Sequence, residues 1–474
     1  MAMLGKRRPA RPRSGTSGLQ KKHSEAPRSQ SRTDHDEAEA TIERLAHDGR
    51  GVARSWNGKT LFVEGALPGE RIEVAVHRTR KRFDEAHIRT LLEPAAERAD
   101  PPCGHYGQCG GCDLQHLSVV AQREHKRAVL VDLLAREGVE LDAEPELLAG
   151  EPLGYRRRAR LGVKVDAEGG VHIGFRARHA SRLIDIDTCP ILVPALSALL
   201  GPLRNLLAQL EAPRLIGHLE LVASDTASVV VVRQLRANAA DRRRWLTFGE
   251  THDVAVAWRV GRESPTLEWL GETPALTCRL PGREGNLELA FAPGDFLQVN
   301  ETVNRQLVAV VREWLAPLPG ERVLDLFAGI GNFSLPLAAD GARVTAVEGN
   351  PDMVARLASN ARRNELSAEG VQADLNDEAQ ISALLERLAP GAVMLDPPRD
   401  GADAVCRALI ERPVSRLVYI ACDPATLARD AARLVHGGYR ITRVAVADMF
   451  VHTSHLESIL LLEHDAWQPP SQGA

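Results

Sequence analysis

The chain contains no run of about 18 uninterrupted apolar residues, and charges stand where the apolar core of a secretory leader would sit. A membrane span, a membrane partner and export are therefore not expected, and a soluble cytoplasmic protein is. It also lacks an even complement of cysteines: seven in a long, unexported chain argue against a disulfide framework. No internal repeat is evident, so a solenoid is excluded. Net charge is nearly absent, with 59 Lys and Arg against 63 Asp and Glu giving −4, and this average points to no polyanionic partner. What is present is enough apolar material for real cores, 44% of 474 residues, which excludes wholesale disorder and suggests roughly two to four domains.

The small total conceals a split. Residues 1 to 33 carry nine Lys or Arg against one acid, Glu25, so the start of the chain stands at +8 and the rest at −12. Residues 1–37, rich in Pro, Ser, Gly and Arg, read as a disordered basic tail. From 38 to 96 short alternating runs with turn punctuation predict a small closed β-barrel, with Arg78, Arg80, Lys81 and Arg82 at a hairpin tip. Residues 97–290 form a central α+β region with the clustered cysteines. Residues 291–466 alternate strand and helix, at Arg322–Leu326, Arg343–Val347, Val393–Leu395 and Leu417–Ala421, which predicts a Rossmann-like, doubly wound parallel sheet. Residues 467–474 read as a frayed tail. The barrel segment resembles a TRAM domain in DGRGVA (Asp48 to Ala53), in FVEGALPGE (Phe62 to Glu70) and in the strand that follows. That resemblance implies an OB-like fold that binds RNA.

VLDLFAGIGNF (Val323 to Phe333) is a buried strand running into a glycine turn and then a helix. Glycine there lets the backbone approach a ligand closely. The third glycine of a dinucleotide fingerprint is missing, since Ser334 holds that place. Asp325 before the turn suits a cofactor with a cationic amino-acid end rather than a pyrophosphate. Glu348 at the end of the next strand can accept both ribose hydroxyls, and Asp374 falls where an acid can hold an adenine amino group. Together these point to S-adenosylmethionine, with some other nucleotide as the alternative.

In MLDPPR (Met394 to Arg399), Asp396 ends a strand in rigid backbone. Amino-group methyltransferases often carry an aromatic after Pro-Pro; Arg399 in that place weighs against amino-nitrogen methylation. Cys422 lies between the strand Leu417–Ala421 and a helix capped by Asp423, and a helix N-terminus is expected to lower its thiol pKa. Cys278 and Cys406 read as inert buried thiols. Glu457, just before the apolar run Ile459 to Leu462, reads on the residues alone either as a desolvated base or as an edge carboxylate paired to a histidine. A methyl donor with a cysteine and a base suits carbon 5 of a pyrimidine, which becomes nucleophilic only after thiolate attack at carbon 6.

The stretches FAPGDFLQVN (Phe291 to Asn300), LDLFAGIGNFSLPLA (Leu324 to Ala338), LDPPRDGA (Leu395 to Ala402), YIACDPATLARD (Tyr419 to Asp430) and DMFVHTSHLES (Asp448 to Ser458) resemble the RNA uracil-C5 methyltransferase family. The resemblance implies Cys422 as nucleophile, Glu457 as base, and Gln298, Phe327, Asn332, Glu348, Asp374 and Asp396 around the methyl donor. A non-catalytic RNA-binding factor that kept the fold is the alternative.

Cys103, Cys109 and Cys112 cluster, and Cys189 follows about 80 residues on. The first spacing is too long for paired zinc knuckles and nearer to iron–sulfur spacing, and zinc stays open on the residues alone. Family resemblance implies a 4Fe-4S cluster held by the four. Barrel plus cluster resembles the branch that methylates 23S ribosomal RNA, with transfer RNA or another ribosomal site as alternatives. Arg156, Arg157, Arg158, Arg160, Arg176, Arg178 and Arg182 are expected to contact phosphates. Nothing implies a protein partner, and a monomer is expected.

Overall fold

The computed structural model describes residues 38–465 apart from Trp56, His179 and Ser264, so the tails expected at 1–37 and 467–474 lie outside the described residues. Among the described residues no helix is long and apolar enough to cross a membrane.

The N-terminal unit closes on itself. Its strands run in the order Ala38–Thr41, Arg71–Thr79, Phe83–Glu93, Thr60–Glu64, Gly51–Arg54 and Arg44–Leu45. The two outermost belong to one continuous stretch: Thr41 pairs with Arg71 on one side, and Arg44 pairs with Val52 on the other. Backbone bonds from Ile42 to Glu70 (3.0 Å) and from Glu43 to Val52 (2.8 Å) fill the corner, so neither edge stays open. Alternation turns Leu61, Val63, Ile72, Val74 and Ala86 inward.

A seven-stranded sheet follows, in the order Leu183–Asp185, Val171–Arg176, Arg158–Val165, Ile216–Ala223, Ser228–Gln234, Ala255–Val260 and Leu267–Trp269. It is antiparallel except where the helix Ala239–His252 crosses between Ser228–Gln234 and Ala255–Val260. The unbroken valine run 229–232 follows from burial on both faces. Val230 and Val232 meet Trp245 and Phe248, while Val229 and Val231 join the core shared with the C-terminal unit.

The C-terminal sheet has eight strands, in the order Ala368–Gln372, Arg343–Glu348, Arg322–Leu326, Ala392–Leu395, Arg416–Ala421, Glu457–Glu463, Arg440–Ala447 and Glu146–Leu148. The first five are parallel and doubly wound. Glu457–Glu463 departs from the expected parallel pattern, running antiparallel to both neighbours because a loop, not a crossover helix, returns the chain from Ala447.

The packing also departs from the division at 97–290. The helix Val119–Arg136 lays Val129, Leu130 and Leu134 into the C-terminal core, and Glu146–Leu148 pairs with Arg440–Ala447 at the edge of its sheet. Residues 119–148 thus belong with the C-terminal sheet. The separate central core runs from Tyr155 to Leu270, joined by Val451, with Cys189 inside it and Cys109 and Cys112 against it.

Candidate active site

Crossover direction reverses between Arg322–Leu326 and Ala392–Leu395, and open α/β sheets bind ligands outside the carboxyl ends of strands at such a point. The chain leaves the first strand with Phe327 at φ 62 and with Gly329 and Gly331 at φ 56 and 106. A left-handed aromatic residue is held there only by its surroundings. Asp325 is buried; its Oδ2 accepts the Ser334 hydroxyl, and its Oδ1 has no partner. Burial, with the charges of Asp396 and Glu348, pushes this carboxyl up to about 7. Glu348 accepts the amide of Gly329 at 3.1 Å and that of Asn350 at 2.9 Å, which leaves lone pairs for a diol.

Asn332 exchanges amide hydrogen bonds with Asn304 on the helix Glu301–Leu315, at 2.9 and 3.1 Å. Gln298 is buried two residues before Asn300, the cap of that helix. Asp374 is exposed and closes its own turn onto the amide of Asn376 at 2.9 Å. The orphaned Asp325 oxygen, the glycine turn and Glu348 suit a ligand with an ammonium at one end and a sugar diol at the other. Asn304 had no motif to mark it, being one polar residue on the buried face of an amphipathic helix.

Cys422 and Glu457 come together through sheet register. Ala421 pairs with Ser458 across antiparallel strands, so the next opposed positions are Cys422 and Glu457. Asp423 caps the helix Pro424–His436 as expected, accepting from Ala425 (3.1 Å) and Thr426 (3.0 Å). The expected lowering of the thiol pKa is not found. Burial and the charges of Glu457 and Asp396 push the Cys422 thiol up, against a hydrogen bond and charge from Arg399. Burial likewise holds Glu457 well above the usual carboxylate range, with Asp396 adding and Arg399 opposing. Asp396, pushed up to about 7 by burial, is felt by Asp325 on one side and by Cys422 and Glu457 on the other. Thiol and carboxyls are therefore biased to their neutral forms, with Arg399 as the local cation.

Asp430 steadies the loop that carries Asp396 and Arg399. Its Oδ2 accepts the amide of Ala402 at 2.9 Å and the hydroxyl of Tyr419 at 2.8 Å, and Oδ1 takes Arg429 Nε at 2.9 Å.

Cys103, Cys109, Cys112 and Cys189 line one cavity of ≈ 290 Å³, which Arg399 and His455 also line, so it abuts the reaction pocket. All four are free thiols, and among the described residues no three metal-ligating side chains stand ready as a metal site. Burial raises the thiol of Cys109, that of Cys112 to about 12 and that of Cys189 to about 11. Cys278 and Cys406 are buried in cores. Of the arginines expected at phosphates, Arg157 is buried against Asp225 and Glu301, and Arg158 is tied to Glu220 and the Asp295 carbonyl. Those two brace the fold. Arg160 and Arg176 line a groove with Lys164 and His218.

A doubly wound sheet with this pocket at its switch point is the fold of the S-adenosylmethionine-dependent methyltransferases. More narrowly, the chain belongs to the tRNA (uracil-5-)-methyltransferase family, whose model matches residues 119–465. A TRAM domain model matches residues 32–88. The chain is 58% identical, over its whole length and 99% of the relative, to the 23S rRNA (uracil(1939)-C(5))-methyltransferase RlmD of Halomonas elongata. It is 57% identical to that of Chromohalobacter salexigens, over 98% of this chain and 96% of the relative. Among solved structures, the Pyrococcus abyssi tRNA (uracil-54, C5)-methyltransferase with S-adenosyl-L-homocysteine aligns with a TM-score of 0.70 at 25% identity, over 90% of this chain and 100% of that one.

Proposed function

We propose that this chain methylates carbon 5 of a uridine in 23S ribosomal RNA, at the uracil numbered 1939 in its relatives' names, working in the cytoplasm. The observation that carries the reading is the opposition of Cys422 and Glu457 across two strands beside the methyl-donor pocket. Bound S-adenosylmethionine supplies an electrophilic methyl group. Asp325 and Glu348 hold its ammonium and ribose ends, Asp374 its adenine, and Gln298, Phe327, Asn332 and Asp396 line the rest. The target base is unstacked to enter. Cys422 Sγ, once deprotonated, bonds to uracil carbon 6, and the electron pair displaced from the 5,6 double bond makes carbon 5 nucleophilic. Carbon 5 takes the methyl group as the donor's sulfur–methyl bond breaks, with S-adenosylhomocysteine as the leaving group. Glu457 in its carboxylate form then removes the carbon-5 proton, the double bond re-forms, and the Sγ–C6 bond breaks with return of the thiolate. Arg399 favours both ionised forms, since its charge opposes the upward shifts of Cys422 and Glu457.

The test is RNA carrying 5-fluorouridine, whose fluorine at carbon 5 blocks the last step. Wild type with methyl donor should give a denaturation-stable protein–RNA adduct, and Cys422→Ala should give none. Glu457→Gln on ordinary RNA should methylate once and stay attached. An adduct from Cys422→Ala, or normal turnover by Glu457→Gln, would refute the assignments. Mapping 5-methyluridine in 23S and transfer RNA of a deletion strain tests the substrate.

Cys103, Cys109, Cys112 and Cys189 are the proposed ligands of a 4Fe-4S cluster; their shared cavity and thiol-only donor set support it. Burial raises the thiols of Cys109, Cys112 and Cys189, and a bound cation would favour their thiolate forms. Anaerobic purification should yield iron, labile sulfide and broad visible absorbance, whereas a colourless protein with stoichiometric zinc would refute the cluster.

A further inference from the structure

The loop that delivers Glu457 to the site, residues 448–456, contains a residue in the left-handed region for which the proposed reaction has no role. His452 has φ 67 and is almost fully buried. A non-glycine residue takes that left-handed conformation uncommonly, histidine less rarely than most, and hydrogen bonds from its surroundings can hold it there. Here the His452 carbonyl accepts the amides of Asp113 and Leu114, both at 3.0 Å. Its own amide donates to Gln122 Oε1 at 2.9 Å, and its ring Nδ1 lies 3.1 Å from Gln122 Nε2. Gln122 is fully buried on the helix Val119–Arg136, and its amide also donates to the carbonyls of Leu114 (3.0 Å) and Leu117 (2.7 Å).

The flanks of His452 are fastened as well. Lys126 reaches Asp448 at 2.6 Å and the Phe450 carbonyl at 2.9 Å, and Asp113 takes the amide and hydroxyl of Ser454 at 2.7 and 2.9 Å. These anchors come from residues 113–126, remote in sequence from the loop they hold; two more come from beyond that stretch, the Tyr155 hydroxyl donating to the Val451 carbonyl at 2.9 Å and the Leu148 carbonyl accepting the Asp448 amide at 2.8 Å. Asp113 and Leu114 directly follow Cys112, so the cysteine loop supplies half of the latch.

We infer that Gln122 is a positioning residue for the proton-abstraction step: with the Asp113 and Leu114 amides it holds His452 left-handed and thereby sets Glu457 against Cys422. The inference rests on the roles proposed above for Cys422 and Glu457. Formation of the 5-fluorouridine adduct needs Cys422 and the methyl donor but no proton removal, whereas turnover of ordinary RNA needs Glu457 in place. Gln122→Leu, which keeps volume and removes both polar ends, should form the fluorinated adduct within twofold of wild type. Its turnover of ordinary RNA should fall at least tenfold, with methylated protein–RNA adduct accumulating. Adding His452→Gly should restore at least half of the lost turnover, since glycine adopts the left-handed conformation without help.

Wild-type turnover by Gln122→Leu, or loss of the fluorinated adduct in parallel with turnover, would overturn the inference. If Gln122→Leu does not fold, His452→Gly and His452→Val carry the same comparison. The glycine variant should turn over and the valine variant should stall as adduct; equal behaviour of the two overturns it. Failure of wild type itself to form the fluorinated adduct would instead sink the proposed reaction.

Discussion

At the scale of single residues, Asp325 shows how burial and function pull on one carboxyl. With its pKa near 7 it is about half ionised at neutral pH in the free protein. A ligand ammonium stabilises the ionised form, so binding draws the proton off. Raising pH favours that ionised form, and affinity for S-adenosylhomocysteine should rise about tenfold from pH 6 to 8 for one such linked group. Calorimetry in two buffers of different ionisation enthalpy should register proton release at pH 6.5, and Asp325→Asn should bind weakly with no pH dependence. A flat affinity across that range would count against the assignment. The sign for stability is the opposite. A carboxyl raised in the folded state stabilises fully below its unfolded pKa, about 4, and that contribution is lost as pH rises through the folded value. The free protein should therefore soften between acid and neutral pH. Asp325, Glu348, Cys422 and Glu457 were legible because each stands at a strand end beside a turn or cap. The direction of the Cys422 shift was not, because it depends first on burial and then on the charges of Glu457 and Asp396, which only the folded sheet brings alongside.

At the scale of elements, the parallel strands were legible because a strand buried on both faces reads as an unbroken apolar run, as at Val393–Leu395 or Leu417–Ala421. Glu146–Leu148 was not, since three residues carry no period, and the helix Val119–Arg136 displays an apolar face without saying which sheet it covers. The antiparallel insertion of Glu457–Glu463 was equally hidden, yet it creates the Cys422–Glu457 pairing. The elements around that pairing are tied at Asp430, which is fully buried and joins the helix Pro424–His436 to Tyr419 and to the loop at Ala402. Asp430→Ala leaves a buried hydroxyl and a buried amide without an acceptor, and should destabilise by about 2–4 kcal/mol. Tyr419→Phe removes a single bond and should cost about 1 kcal/mol. Urea midpoints at constant m-value check both, and an Asp430→Ala midpoint matching wild type would show that the loop is held by other contacts.

At the scale of the whole molecule, the barrel is seated on the catalytic unit through the cysteine loop. Gly49, at φ 80, lies where a Cβ would fall 2.6 Å from Leu114 Cδ2, and Leu114 in turn bonds to His452. Overall charge gives no hint of this arrangement or of an RNA substrate: the chain beyond residue 33 stands at −12, and some of that is internal, in Asp325, Asp396, Asp430 and Glu457. A polyanion meets the surface, where charge placement differs from the total. Arg78, Arg80, Lys81 and Arg82 stand exposed around the turn between Arg71–Thr79 and Phe83–Glu93. If this tip grips phosphate, each contact contributes about 0.7–0.9 to the slope of log affinity against log salt concentration. Replacing Arg80, Lys81 and Arg82 with serine should then raise KM for ribosomal RNA, flatten that slope by about two to three and leave kcat unchanged, because none of the three is among the groups that act on Cys422 or Glu457. Filter binding between about 50 and 250 mM salt, alongside steady-state kinetics, measures both. Unchanged KM and slope would make the run a solvated hairpin tip, and RNA contact would then fall to other basic surfaces, such as the groove lined by Arg160, Lys164 and Arg176.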